Sequence, residues 1–156
     1  MKLAAKARMA VTGMADLVAF GGGDPVPLSS IAERQRLSLA FLEQVFAKLR
    51  RAGLVESRRG ASGGYVLARP ADEVSLADVV AAVEEEVRST ACQPGSGKSC
   101  TGASARCLTH RLWSDLDSHI DAWLTRHTLA DVAARAHAQD RVREALEPGS
   151  PAGVPS

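Results

Sequence analysis

The sequence predicts a mainly α-helical chain with one small β-hairpin: a winged helix-turn-helix, a cysteine loop and a long amphipathic helix. Three observations predict it. Two short helical segments meet across Arg36-Leu37-Ser38. A glycine-rich hairpin with arginines at its base follows them, Arg58-Arg59-Gly60-Ala61-Ser62-Gly63-Gly64. All three cysteines, Cys92, Cys100 and Cys107, then fall in one stretch of small and polar residues, with His110 three residues beyond.

In chain order, Leu3, Ala7, Ala10, Val11, Met14, Leu17 and Val18 recur at helical spacing, predicting a helix over 3–20. Gly21-Gly22-Gly23-Asp24-Pro25 stops it. Leu28, Ile31 and Ala32 form a short apolar face, and Ser30 with Glu33 fits a capping box for a second helix ending near Gln35. Ser38 is an N-cap for a third, with Leu39, Leu42, Val45, Phe46 and Leu49 on its inner side. Gly53 is placed to end it in a left-handed turn. Leu54–Ser57 and Tyr65–Ala68 read as the two strands of the hairpin. Arg69-Pro70-Ala71 breaks it off, and Ser75 caps a helix carrying Leu76, Val79, Val80 and Val83. Glu84-Glu85-Glu86 opposes the dipole at that helix's end, as a solvated face or a means of holding the next loop off phosphates.

The charge is uneven in a telling way. Residues 1–70 hold 11 Lys/Arg against 5 Asp/Glu, a local charge of +6, and residues 71–156 hold 8 against 13, or −5. A basic first half points to a polyanion. A hairpin after a helix-turn-helix is a wing. Its glycines (Gly60, Gly63, Gly64, with Tyr65 next) let backbone approach a phosphate or a narrow groove, which arginine favours. The third helix would be the reader, through Ser38, Ala40, Phe41, Glu43, Gln44, Lys48 and Arg51. Gln pairs with adenine and Glu accepts from cytosine. Lys48 and Arg51 suit phosphates. Against these stand an ordinary solvated helix face and, for Phe41, partial burial.

Residues between Cys92 and Cys107 include no large apolar side chain, so packing cannot order that loop. The spacing is Cys-x7-Cys-x6-Cys-x2-His, and Cys107 and His110 share one side of a helix turn. Three thiolates and an imidazole admit Zn²⁺ or an iron–sulfur cluster. Long gaps favour the larger centre. A catalytic cysteine paired with His110 would leave two cysteines unexplained, so no enzyme is expected. An odd cysteine count argues against a disulfide framework and for a reducing cytoplasm. Met1–Lys6 lacks the apolar stretch of a signal peptide, and no apolar run approaches the ~18 residues of a membrane span.

Leu108, Leu112, Trp113, Leu116, Ile120, Trp123 and Leu124 make one face of a strong helix. Little of the chain remains to cover it. It is expected to pack on the same helix of a second subunit, partly seated on the N-terminal helix. Thr128-Leu129-Ala130-Asp131 opens one more helix, expected to fade near Ala136. The expected organisation is therefore a DNA-binding domain over 1–70, a connecting helix over 71–91, a cluster loop over 92–110, dimerisation and terminal helices over 108–136, and a disordered tail over 137–156.

Several stretches together resemble the winged-helix family of bacterial iron–sulfur regulators. They are Pro25–Leu28, Glu33–Gln35, Leu42–Gln44, Leu49-Arg50, Gly53–Val55, Arg59-Gly60 with Gly63–Tyr65, and Cys107–His110 with Leu112-Trp113. The resemblance spans residues 1–135. It implies a homodimeric transcription factor on double-stranded operator DNA, mainly a repressor of cluster-assembly genes. It further implies a [2Fe–2S] cluster on Cys92, Cys100, Cys107 and His110, received from the assembly machinery. Glu43 would be the residue whose repulsion cluster binding relieves, and Arg59 the minor-groove reader. His110 sets this type apart from relatives that sense nitric oxide or iron, as does Arg8, near which the nitric-oxide sensors carry an aspartate ligand. Two departures stand out: the cysteine gaps exceed the family's usual five residues, and Ala40 and Phe41 replace hydroxyl-bearing residues.

Overall fold

The computed structural model describes residues 5–83 and 108–146; of residues 140 and 142–146 only the backbone is described. Helix α1 runs Ala5–Gly21. Gly22 and Gly23 take φ of +56° and +92°, the left-handed region that ends a helix without a Cβ clash. Helix α2 is Leu28–Gln35. It begins two residues before the expected Ser30–Glu33 box: Pro27, with φ −64°, occupies the N-cap position without a side-chain cap. The proline ring presets the entry to the helix, and its carbonyl takes the Ser30 amide at 3.1 Å.

Arg36 makes the turn out of α2 at φ +53°, unusual for a residue with a Cβ. The Leu37 amide reaches back to Ala32 O at 2.9 Å. Helix α3, Leu39–Arg51, starts at Ser38, whose hydroxyl accepts from the Phe41 amide at 3.4 Å, as its sequence requires. Gly53, at φ +74°, sends the chain into the wing. The wing is an antiparallel pair, β1 (Val55–Arg58) on β2 (Gly64–Leu67), with Val55 opposite Leu67 and Arg58 opposite Gly64.

A 3-10 turn at Ala71–Glu73 leads into α4, Leu76–Val83. Ser75 and Asp78 close a reciprocal capping box there, at 3.0 and 3.1 Å. Helix α5 is His110–Arg126 and α6 is Leu129–Leu146. Thr128 and Asp131 repeat the same box on α6, at 2.9 and 3.3 Å. The bond from the Thr128 amide holds the Asp131 carboxyl below the usual carboxylate range. The box therefore contributes above that range and is lost as acid protonates Asp131. Ser75 and Thr128 form an isolated bridge, and Leu76 N–H donates to His127 O at 2.8 Å, so the starts of α4 and α6 are bolted together.

One core joins these parts. It runs from Ala7, Ala10 and Met14 of α1 through Ile31, Leu42, Phe46 and Leu49 to Val79, Val80 and Leu129 without a break near residue 70. Helix α1 is the central strut, packed by α2, α3, α4 and α6. Helix α5 seats on α4, whereas α6 lies along α1; the expected seat of α5 on the N-terminal helix is thus taken by α6. The expected disordered tail is also corrected over 137–146, which continue α6. That stretch lacks an apolar stripe, but it is mostly good helix formers (Ala, Gln, Arg, Glu, Leu), with no glycine or proline before Pro148. His137 meets the edge of Phe20 at 6.5 Å and helps fasten the helix to α1. Glu84–Glu86, the three cysteines and residues 147–156 lie outside the described residues.

Candidate nucleic-acid interface and metal donors

Helix α3 buries Leu42, Val45, Phe46 and Leu49, which turns Ala40, Glu43 and Gln44 outward. Ser38 is exposed while capping, Phe41 is half-buried against the core, and Arg51 is exposed with Nε on Ala47 O at 3.3 Å. Lys48 goes elsewhere: its ammonium donates to Val83 O of α4 at 3.2 Å.

In the wing, Arg58 pairs with Glu56 at 3.2 Å across the exposed surface, and Arg59 is a second exposed cation, at the hairpin's turn. Gly60 holds φ +118°. A Cβ on Gly63 would lie 2.5 Å from Arg58 O, so the turn closes only around glycine. Gly64 and Tyr65, expected at the interface, have inward duties. A Cβ on Gly64 would strike the Val26 backbone. Tyr65 and Val26 exchange backbone bonds at 2.9 and 3.0 Å, laying the segment before α2 along the wing. The tyrosine ring stands edge-on to Phe46, centroids 5.1 Å apart. Phe46 thereby links α3 to the wing.

The helix-turn-helix is anchored by a group that sequence reasoning missed. Asp16 of α1 is only 2% exposed. Arg34 grips it with Nη2–Oδ1 at 2.6 Å and Nε–Oδ2 at 3.0 Å, and Gln35 Nε2 adds a bond at 2.8 Å. The hydrogen bond to Asp16 raises the Arg34 pKa further above its ordinary value. Arg34 also lies over the Phe20 ring, 5.0 Å from its centroid. The signal was present as Glu33-Arg34-Gln35, but nothing local told which carboxylate lay opposite.

Of the four expected metal donors only His110 is described. It is the first residue of α5 and half-exposed, and no described residue hydrogen-bonds its ring. Trp113 Nε1 donates to Thr109 Oγ1 at 3.1 Å, so Thr109 and Trp113 brace the turn that presents His110. Three thiols close in sequence and an imidazole on the first turn of α5 suit an iron–sulfur cluster or zinc by donor chemistry. Among the described residues no other group of three metal-ligating side chains exists. Leu108, just before His110, and Leu112 and Trp123 beyond it are 102%, 61% and 46% exposed, an apolar face left open in the single chain. No helix of the described residues is long and apolar enough to cross a membrane.

A buried-core helix-turn-helix, an outward polar helix face and an arginine-bearing glycine wing define a winged-helix DNA-binding regulator. The chain belongs to the Rrf2 family of iron-dependent transcriptional regulators, whose pattern matches residues 3–135. It is 50% identical over 132 residues to the HTH-type transcriptional regulator IscR of Vibrio campbellii, covering 85% of this chain and 77% of that one. The IscR of Escherichia coli is 41% identical over 156 residues, with 94% of each chain covered. Among solved structures, IscR of T. potens matches with TM-score 0.69 and 35% identity, covering 96% of this chain and 94% of that one. CymR, the global cysteine regulator of B. subtilis, matches with TM-score 0.71 and 31% identity over 86% and 98%. These relatives are transcriptional regulators, not enzymes.

Proposed function

We propose that the chain is a homodimeric, cytoplasmic regulator, mainly a repressor, that reports iron–sulfur cluster supply to the genes that build clusters. One observation carries this reading: the donor set Cys92, Cys100, Cys107 and His110 ends on the first turn of α5, the helix with the open apolar face. The same helix would hold a metal centre at its start and meet its copy along its length. The named IscR relatives support the choice of centre. When bound, a [2Fe–2S] cluster supplies a labile inorganic core whose presence depends on iron and sulfide. The assembly machinery is the donor.

On the DNA side, the exposed groups Ser38, Ala40, Glu43, Gln44, Arg51, Arg59 and Gly60, with half-buried Phe41 and Gly63, form the contact surface. Arg59 is the minor-groove reader. Arg59→Ala is expected to weaken binding by about 1–3 kcal/mol and to relax preference at the wing-contacted positions. Fluorescence anisotropy across a set of operator variants measures this. A loss confined to the salt-dependent term would make Arg59 a phosphate contact instead.

Glu43 sits outward beside Gln44 on a surface meant for a polyanion. It discriminates by repulsion, so Glu43→Ala should let the cluster-free protein bind duplexes it otherwise rejects. The experiment that tests the function is selection of duplexes from a random pool by cluster-loaded and cluster-free protein. Different selected sequences are expected. Identical sequences and affinities in both states would remove the sensing role and leave a metal-stapled DNA-binding module.

A further inference from the structure

We propose that Lys48 is a positioning residue, a strut that fixes the reading helix to the end of α4, rather than a contact to DNA phosphate. The inference rests on the reading of α3 as the DNA reader and extends it to how the metal-donor region reaches that helix. Three features carry it. The Lys48 ammonium donates to Val83 O at 3.2 Å in a part-buried setting, whereas Arg50, Arg51 and Arg59 are exposed. A lysine held this way gives up much of the rotamer freedom that a phosphate-seeking side chain keeps. Beneath the bond, Leu49 and Val45 of α3 share one buried cluster with Val79, Val80 and Val83 of α4, so the two helices move as packed bodies.

The position of the bond gives it a consequence. Val83 closes the described length of α4, and the sequence runs from it through Glu84–Glu86 to Cys92, nine residues on. Gln44 precedes Lys48 by four residues, so the two lie on one face of α3 a turn apart. A displacement of the α4 end pulls on Lys48 and shifts the Gln44 face against the groove. Lys48 therefore sets the register between the metal-donor side of the chain and the reading face.

The test uses the full-length protein and its Lys48→Met and Lys48→Arg variants, with a duplex selected by the wild type. Methionine keeps the stem and packing but removes the donor, whereas arginine keeps a donor. In cluster-free protein, Lys48→Met is expected to leave the salt slope of non-specific DNA binding unchanged. It is also expected to speed amide exchange in the last turn of α4 by about fivefold. In protein reconstituted with iron and sulfide, Lys48→Met should shrink the ratio of loaded to cluster-free affinity by at least about threefold, and Lys48→Arg should restore it.

A salt slope lowered by about one per subunit in Lys48→Met would overturn the proposal, because it marks a lost phosphate contact. So would unchanged exchange at α4, or an unchanged affinity ratio where the wild type shows one. If the wild type binds equally with and without cluster, the sensing reading fails by itself. The strut is then decided by the cluster-free slope and exchange alone, and either of the contrary results there rejects it.

Discussion

Phe46→Ala should lower stability by about 3–5 kcal/mol, the usual cost of emptying a large aromatic site in a closed core. Phe46 is fully buried, and the neighbouring elements leave no easy way to collapse. A Cβ on Gly13 of α1 would already lie 2.9 Å from its Cε2, and Tyr65 of the wing stands against its other side. The loss should appear as a fall in Tm of about 10–15 °C by calorimetry. It should also uncouple the wing from α3, seen as faster amide exchange along β2 than the global loss requires. Phe46→Leu keeps most of the volume and should cost about 1–1.5 kcal/mol. An alanine variant as stable as the wild type would mean that α1, α3 and the wing do not meet where the structure has them.

Asp16→Ala should be the second large effect. The carboxylate is buried and takes three side-chain bonds from α2. Removing it leaves Arg34 and Gln35 without an acceptor in a part-buried site. Breaking a fully buried ion pair costs about 3–5 kcal/mol. Arg34 keeps 35% of its side-chain surface in water, so it can rehydrate, and about 2–3 kcal/mol is the better expectation here. Urea unfolding with an unchanged slope checks the figure. If α3 reads DNA as proposed, its tilting by a loosened α2 should also lower specific DNA affinity before non-specific affinity. If Asp16→Ala unfolds at the wild-type urea concentration, the α1–α2 clamp is not a feature of the molecule.

Local chemistry made most of the architecture legible. Ser38, Gly53, Ser75 and Thr128 each mark a helix end through a bond or a φ that only a few residue types supply. The hairpin followed from alternation and glycine. Where reading failed, the deciding partner was distant or the rule used was incomplete. The Ser30–Glu33 pattern imitates a capping box, but Pro27 starts α2 first. Helix α6 outlasts its apolar stripe because propensity carries it on to Leu146. The seat of α5 depends on how α6 packs against α1, which no local spacing encodes.

The candidate site divides along the same line. Outward positions of α3 follow from its buried stripe, so Glu43 and Gln44 could be placed from sequence. Lys48, Gly64 and Tyr65 could not. Each is defined by a partner far along the chain, Val83 for the lysine and Val26 or Phe46 for the others. In the same way Glu33-Arg34-Gln35 reads as a charged helix end until Asp16 is set opposite. Charge type and outward position are sequence properties, whereas the group a long side chain reaches is a property of the fold.

Cys92, Cys100, Cys107 and His110 are proposed to hold one inorganic centre that governs how this winged helix meets DNA. Iron, acid-labile sulfide and zinc are to be measured in protein purified without oxygen from iron-replete cells, with His110→Ala alongside. The expected result is coloured protein with about one two-iron cluster per chain, and a bleached or sharply depleted His110→Ala variant. Stoichiometric zinc without iron, or a cluster indifferent to His110→Ala, would contradict it.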